Sequence, residues 1–326
     1  MSAKIRVESI SKDRARELWH ESPQATAFTH PDILDHCARQ VDWWGAWRSE
    51  DLVAVWPICC SYEHLKPFNP TFLYYVGPLF SREIHRFKYH RYQAIRQKAL
   101  EAFLPVLVER YDHLKFAMPP GETDVRAFEW WNQERSGSAN FSFKPRHTAR
   151  IRAIDRSTEE LYSDFARNRK RDLRLNGHIQ PVRSERWELN ELIELHNEPM
   201  YRQGIDISEK RIEALCRIVT AATRGHGSVL AWRDPENGQL ASFIILLYGR
   251  DEANDILCVA SDAWRERGLA AWTTWNGLLQ ARSEGKRIFD FNGANSPRRA
   301  ADKHAFGARA ELYFTVTMDR SNDGVA

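Results

Sequence analysis

The sequence has few cysteines and lacks the short motifs that most often announce a metal or nucleophile site. Its five cysteines form an odd set with no C-x-x-C pair, and three of them stand in apolar, strand-like runs. This pattern is typical of buried free thiols. No zincin motif, G-x-S-x-G elbow or Walker loop occurs either, so these motif-defined enzyme classes are excluded. We expect no metal site.

Long apolar runs and a strong charge of either sign are also missing. The most apolar stretch, residues 243–248, is far too short to span a bilayer, and the first residues lack the apolar core of a signal peptide. We therefore expect a cytoplasmic protein. Lys and Arg number 47 against 44 Asp and Glu, so contact with nucleic acid would need a local basic patch. The length of 326 residues suffices for two domains of about 150 residues each.

Hydrophobic periodicity and turn signals give the same order of elements in both halves. The first half reads β-α-α-β-β-β-α-β-α-β, with a strand over 72–79 and a long helix over 89–110. A capping box at Ser157 and Glu160 then opens one helix to about residue 175. From a strand over 179–183 the same order returns. We predict a tandem repeat of α/β domains with mixed sheets, divided as 1–153 and 154–326.

The most informative stretch is residues 254–316, in which a short strand leads through a tight loop into a helix. The loop reads Arg-Glu-Arg-Gly-Leu-Ala, and unpaired amides at such a helix start can bind a phosphate together with nearby guanidinium groups. The alternative is an ordinary tight turn. The equivalent junction of the first half, residues 78–89, lacks the pattern. We predict that the second half holds a phosphorylated donor, and that the contacts come from Arg265, Arg267, Gly268, Leu269 and Ala270.

This loop, the long helix after it and the late Phe306-Gly307 resemble the GNAT acyltransferase superfamily over about 179–318. Three further stretches resemble its Fem-type and BioF2-like branch: 123–130 with 144–148, the basic run 165–174, and 289–295 with Lys303-x-x-Phe306-Gly307. The resemblance implies two tandem GNAT-like domains, each a mixed, mostly antiparallel sheet flanked by helices. The first would be structural and acceptor-shaping, the second catalytic. Two departures are Asp302, where many relatives have an aromatic residue, and the missing helical arm.

The resemblance and the strand-end pattern together suggest catalytic residues. Lys303 stands four residues before Gly307, where many GNAT enzymes place a tyrosine acid, and could stabilise an oxyanion or protonate the leaving group. A solvated helix lysine is the alternative. Asp290 and Asn292 lie at a strand end, where ligands commonly bind. Asp290 could position or deprotonate the acceptor amine, or could simply cap a neighbouring turn.

A basic helix is the third candidate. It could meet tRNA phosphates, a CoA 3′-phosphate or an acidic acceptor, or be a solvated face; its cations are Arg167, Arg169, Lys170, Arg171 and Arg174. The resemblance also places His196 and Tyr201 near the acceptor, although His196 could equally be a core histidine.

The sequence thus predicts an N-acyltransferase that moves an acyl group from acyl-CoA to a primary amine, giving an amide. The acceptor would be a small molecule, a lipid or a peptide. One alternative is a Fem-type enzyme that uses aminoacyl-tRNA as donor. Another is a GNAT-like fold that has lost catalysis and serves as a binding module.

Overall fold

The computed structural model describes residues 4–62, 67–134, 139–179, 182–184 and 186–320. The chain divides into two compact units, Met1–Arg146 with Leu312–Ala326, and His147–Glu311. The sequence-based division instead gives the last strand to the second domain, and its assignment of roles to the two domains stays a prediction. Among the described residues no helix has the length and apolar character needed to cross a membrane. The five cysteines form no disulfide bond among the described residues, and Cys37 and Cys59 are buried.

The first unit contains a four-stranded antiparallel sheet in the order β1-β2-β3-β4. A further strand, β5, pairs with residues 315–319. The elements in chain order are β1 (Ile5–Ser9), α1 (Lys12–Glu21), α2 (Pro31–Cys37), β2 (Gln40–Arg48), β3 (Asp51–Cys60), β4 (Leu79–Phe80), α3 (Arg82–His85), α4 (Tyr89–Arg110), β5 (His113–Ala117) and α5 (Arg126–Glu134).

Aromatic packing forms the core of the first unit. Trp56 of β3 is fully buried, and its ring meets Phe103 and Phe116 edge-on at centroid distances of 5.4 and 4.8 Å. Phe103 lies on α4, whose buried residues recur at helical spacing, so one face of that helix covers the sheet. The helix predicted over 89–110 is confirmed.

The second unit is built on strands in the order β6-β11-β10-β9-β8-β7. The pair β10–β11 is parallel and the other neighbouring pairs are antiparallel, so the predicted mixed, mostly antiparallel α/β class is confirmed. The elements from residue 140 onward, of which β6 and β12 have residues in both units, are in chain order β6 (Asn140–Arg152), α6 (Thr158–Ser163), α7 (Arg167–Ile179), β7 (Val182–Ser184), α8 (Leu189–Tyr201), α9 (Glu209–Ala221), β8 (Gly227–Arg233), β9 (Leu240–Tyr248), β10 (Glu252–Ala260), α10 (Asp262–Arg265), α11 (Leu269–Ser283), β11 (Ile288–Asp290), α12 (Pro297–His304) and β12 (Arg309–Asp319).

The ten-element order occurs twice, with a short extra helix, α3 or α10, before the long helix of each half. The capping box at Ser157 and Glu160 is present, but the single helix predicted from it is wrong. The chain breaks between α6 and α7, where the Ala166 amide donates to the Ala305 carbonyl at 2.8 Å instead of continuing a helical ladder.

Two strand predictions differ from the structure. The strand predicted over 72–79 is wrong, because only Leu79–Phe80 is paired. Residues 73–76 are mostly buried without a strand partner, so their apolar character reflects burial and not pairing. The strand predicted over 179–183 is wrong at Ile179, which is the last residue of α7. Residues 180 and 181 lie outside the described ranges, and Val182–Ser184 forms β7.

Candidate active site

The candidate site lies in the second unit, where the parallel pairing of β10 with β11 stops. The pairing ends at Asn254 opposite Asp290. Directly afterwards β10 has a β-bulge between Asp255 and Leu257, a feature that redirects side chains and is frequent beside active sites. Asn292, two residues beyond β11, has a φ of 54°, which is uncommon outside glycine. The backbone is therefore irregular on both strands at this point.

Asp290 is fully buried and anchored on both of its oxygens. Oδ1 accepts hydrogen bonds from the Thr148 hydroxyl and from the backbone N–H of Asn292, the latter at 2.7 Å. Oδ2 accepts from Nε of Arg150 at 2.7 Å. Arg150 also donates to Glu252 at 3.0 Å. Burial raises the pKa of Glu252, while the charge of Arg150 opposes that rise. Since donors already occupy Asp290, its geometry fits a positioning residue better than a free base.

Lys303 of α12 holds the loop that follows β11. Its ammonium donates to the three consecutive carbonyls of residues 291–293, at 2.8 Å for the first and the third. An ammonium has three N–H donors, so none is left for an oxyanion in this arrangement. Burial lowers the pKa of Lys303, against the opposing effect of the Asp255 and Asp290 charges. Lys303 thus fastens the strand end.

Asp255 is the residue that sequence reasoning missed. It sits at the bulge, partly exposed. Burial raises its pKa to about 7, with Lys303 opposing the rise and Asp290 adding to it. A carboxyl group that titrates near neutral pH can take a proton from an amine and return it. The one signal in the sequence was an acidic residue inside the apolar run 255–260.

Two buried asparagines beside Asp255 carry amide oxygens without a hydrogen-bond partner in the described structure. The side-chain amide nitrogen of Asn254 donates to the Glu252 carboxylate at 3.0 Å. The side-chain amide nitrogen of Asn292 donates to the Asp255 backbone carbonyl at 2.8 Å. Because both partners are acceptors, the orientation of each amide is fixed with its oxygen free. Both oxygens are shielded from solvent. A buried acceptor left unpaired is costly, so these two oxygens destabilise the closed strand end.

The loop predicted to bind phosphate forms the start of α11. Gly268 has a φ of 72°. Two backbone N–H groups of the loop are already bonded within it: that of Gly268 donates to the Arg265 carbonyl and that of Arg267 to the Trp264 carbonyl, both at 3.1 Å. Leu269 and Ala270 stand in the first helical turn, where amides have no partner within the helix; Leu269 is buried and Ala270 exposed. Only part of the predicted cradle is therefore available.

Helix α7 packs on this loop. A Cβ placed on Gly268 would lie 2.7 Å from Cγ of Asp172, and the Asn176 side chain donates to the Arg267 carbonyl at 2.7 Å. Asp172 is buried and paired with Arg169 at 3.1 Å. A carboxylate therefore stands beside the helix start at which the sequence predicted a phosphate.

The predicted basic residues of α7 divide into two groups. Arg169 pairs with Asp302 at 2.7 Å and lies over the Phe306 ring, and Lys170 donates to the Ser163 carbonyl at 2.8 Å. These cations hold the fold together. The other group is exposed and consists of Arg167, Arg171 and Arg174.

His196 and Tyr201, both on α8, have different surroundings. His196 is buried, which lowers its pKa to about 4, as expected for a core histidine. Tyr201 is 60% exposed and its hydroxyl lies 3.5 Å from the Asn197 amide nitrogen. A cavity of about 470 Å³ lies next to α8 and is lined by carboxylates, namely Glu191, Glu194, Glu198 and Asp234. No group of three or more His, Cys, Asp or Glu side chains suited to a metal ion occurs in the described ranges.

The comparisons with known proteins bear on the fold. No family model and no curated protein matches the chain. Among solved structures it is similar to FemX, at 14% identity and a TM-score of 0.66, with 95% of this chain and 96% of that chain covered. It is also similar to a tandem GNAT protein from the clavulanic acid biosynthesis pathway, at 12% identity and a TM-score of 0.56, covering 99% and 100%.

A third similar structure is the C-terminal domain of a putative lysylphosphatidylglycerol synthetase from Agrobacterium fabrum, at 11% identity and a TM-score of 0.55, covering 96% and 93%. At identities this low, structural similarity establishes the fold and nothing more. The chain has a tandem GNAT fold, and the likeness to Fem-type proteins predicted from its motifs is confirmed at that level.

Proposed function

We propose that the second unit is the centre of an amide-forming acyltransferase, in which Asp255 accepts the proton of the attacking amine. The observation that carries this proposal is a carboxyl group with a pKa near 7 at the bulged end of the β10–β11 pairing. The tandem GNAT fold, shared with FemX, supports the same reaction class.

Asp255 takes one proton from the amine and returns it to the leaving group, so the reaction is balanced in protons. A neutral primary amine attacks the acyl carbon, a C–N bond forms, and its proton passes to the Asp255 carboxylate. The bond between the acyl carbon and the oxygen or sulfur of the donor then breaks. Protonated Asp255 returns the proton to the departing oxygen or sulfur, so the base is regenerated. A pKa near the working pH favours both transfers.

The neighbouring residues position the reactants. The amine is carried by a small molecule, a lipid or a peptide. The amide oxygens of Asn254 and Asn292 are buried and unpaired, and they would accept N–H bonds from an amine only after the strand end opens. Asp290 and Lys303 hold the strand end through their hydrogen bonds. In this proposal Lys303 supplies a fixed positive charge near the developing oxyanion, and direct donation from it would require one of its carbonyl bonds to break.

An aminoacyl ester on RNA is the donor that the geometry favours. Acyl-CoA would bring a pyrophosphate to the start of α11, where the Asp172 carboxylate already lies against Gly268 and the Gly268 amide is already bonded. Placing a second anion there costs electrostatic energy. An aminoacyl-tRNA delivers its acyl group without a pyrophosphate, and the exposed arginines of α7 suit a polyanionic donor.

Acyl-CoA is the second candidate, because part of the cradle remains. The amides of Leu269 and Ala270 stand at a helix start, and Arg265 and Arg267 are exposed beside them. These groups could still contact a phosphate if it approached from the side away from Asp172.

Donor discharge tests the proposal. The protein is incubated with a mixture of radiolabelled aminoacyl-tRNAs, or separately with acetyl-CoA, and with a panel of primary amines, and amide products are separated by chromatography. We expect amide formation from aminoacyl-tRNA that Asp255→Asn suppresses. Amide formation only from acetyl-CoA would support the second donor. If neither donor gives an amide, the proposed acyltransferase activity is contradicted, and the non-catalytic binding module becomes the supported alternative.

A further inference from the structure

The exposed arginines of α7 lie on one side of the helix. Successive residues are rotated by about 100°, so positions 167, 171 and 174 fall within an arc of roughly 60°. All three side chains are exposed, and that of Arg171 is 67% accessible although one of its nitrogens lies 3.2 Å from Asp172. We call Arg167, Arg171 and Arg174 the arginine face.

The opposite side of α7 fixes its orientation. Asp172 lies against Gly268, Asn176 donates to the Arg267 carbonyl, and Arg169 reaches Asp302. The carboxylate partners of α7 are therefore on its inner side or at its edge. These packing contacts fix the rotation of α7 about its axis, so the arginine face points away from the packed side.

We propose that the arginine face docks the RNA portion of the donor, a deepening of the proposed function that rests on its aminoacyl-RNA donor. The face is about 10 Å long at 1.5 Å per residue, and a nucleic-acid duplex presents about one negative charge per 1.7 Å of axis. Several phosphates therefore lie within reach. The loop that the inner side of α7 contacts carries two further exposed arginines, Arg265 and Arg267, with the exposed Glu266 between them.

The position of α7 relative to the reaction centre agrees with this assignment. Through Arg169, α7 is joined to Asp302, the neighbour of Lys303, and Lys303 fastens the strand end beside Asp255. An RNA held on the arginine face would thus be bound on the same packed assembly as the candidate base. A polyanion that carries its reactive ester at one end fits such an arrangement.

A lipid surface fits the helix less well. Helices that lie in a membrane interface place large apolar side chains beside the cations. Of the large apolar side chains described on α7, Leu173 is buried and Leu175 alone is exposed, at 45%. The arginine face therefore offers charge with little apolar surface, which matches the sequence-independent recognition of phosphates.

Binding of a fluorescently labelled RNA hairpin that ends in single-stranded CCA tests the proposal. Fluorescence anisotropy is recorded between about 50 and 200 mM salt for the wild type, for R167Q/R171Q/R174Q and for the control R82Q/R287Q/R309Q. The control removes three exposed arginines elsewhere. We expect the first variant to bind at least roughly tenfold more weakly, and the slope of log K against log salt to fall by about two to three. The control is expected to follow the wild type.

Three results would overturn the proposal. The first is hairpin binding by R167Q/R171Q/R174Q as tight as that of the wild type, and the second is an equal loss in the control. The third comes from cosedimentation of the same proteins with phosphatidylserine vesicles: loss of vesicle binding in R167Q/R171Q/R174Q while its hairpin binding is unchanged. Binding needs no turnover, so failure of the two proposals can be told apart. Hairpin binding that depends on the arginine face, without amide formation from any donor, would uphold the docking surface and contradict the proposed reaction.

Discussion

Asp172 lies against Gly268 so closely that a Cβ on Gly268 would stand 2.7 Å from both Cβ and Cγ of the aspartate. Gly268 also has a φ of 72°, a left-handed conformation that side chains disfavour. The positive φ and the close contact with Asp172 each require glycine at this position, and neither reason involves a ligand. The glycine of the Arg-x-x-Gly-x-Ala pattern has a packing role in this chain.

Gly268→Ala is expected to lower the free energy of unfolding by about 2 to 4 kcal/mol, since it combines a positive φ with overpacking against Asp172. Gly285→Ala is a matched control, because Gly285 has the same φ of 72° with no atom within 4 Å of an added Cβ. The control is expected to cost about 1 kcal/mol. Urea unfolding measures both, and equal losses would show that the Asp172 contact is unimportant.

Asp172→Asn removes the negative charge beside the start of α11 while keeping the shape of the side chain. We expect inorganic pyrophosphate to bind this variant about three- to tenfold more tightly than it binds the wild type, because the helix start and nearby arginines are no longer neutralised. Isothermal titration calorimetry measures the change. Asp302→Asn removes the other carboxylate partner of Arg169 and is the control; an identical gain there would count against a local effect of Asp172.

Arg150 is the shared cation of two buried carboxylates, Asp290 and Glu252. Arg150→Met leaves both without their partner, so we expect a loss of about 3 to 5 kcal/mol in unfolding free energy. Arg152→Met, two residues along the same strand, removes a side chain that is 60% exposed and is expected to cost less than about 1 kcal/mol. Denaturant unfolding compares the two. Similar losses would mean that the buried network contributes little.

Asp255 makes stability depend on pH. Its pKa is raised from 3.8 to about 7 in the folded protein, so the folded state holds a proton that the unfolded state has released. The stabilisation is full below about pH 4 and is lost as the pH rises through about 7. Relative to Asp255→Asn, the wild type is expected to lose up to about 4 kcal/mol over this range, at 1.36 kcal/mol per unit.

Unfolding in urea at a series of pH values measures this dependence. The control is Asp251→Asn, because Asp251 is exposed at the turn before β10 and its replacement is expected to leave the pH dependence unchanged. Parallel curves for the wild type and Asp255→Asn would contradict the raised pKa.

Local sequence signals predicted the features that depend on a few neighbouring residues. The capping box of Ser157 and Glu160 is one, because its bonds join residues three apart. The long helix α4 is another, since its apolar period is visible in the chain. The strand predicted over 72–79 was wrong for the complementary reason. Apolar residues there are buried by packing, and pairing cannot be read from apolar character alone.

The chemistry of the candidate site depended on contacts between distant residues. Lys303 was recognised by its place before Gly307, yet its three carbonyl partners belong to residues 291–293. Asp255 looked like part of an ordinary strand, because the bulge beside it arises from pairing with β9. The basic run of α7 was visible, but only its packing on Gly268 separates inner from outer arginines.

The role of Asp255 as the base is tested most directly by the pH dependence of kcat/KM for amine acylation by the wild type and by Asp255→Asn, with the donor that the wild type uses. If Asp255 is the base, the wild-type rate rises through a pKa near 7 as Asp255 ionises. The variant is then expected to lose about 10²- to 10⁴-fold in rate together with that limb of the profile. A variant that keeps the wild-type rate and the same limb would contradict the role of Asp255 as the base.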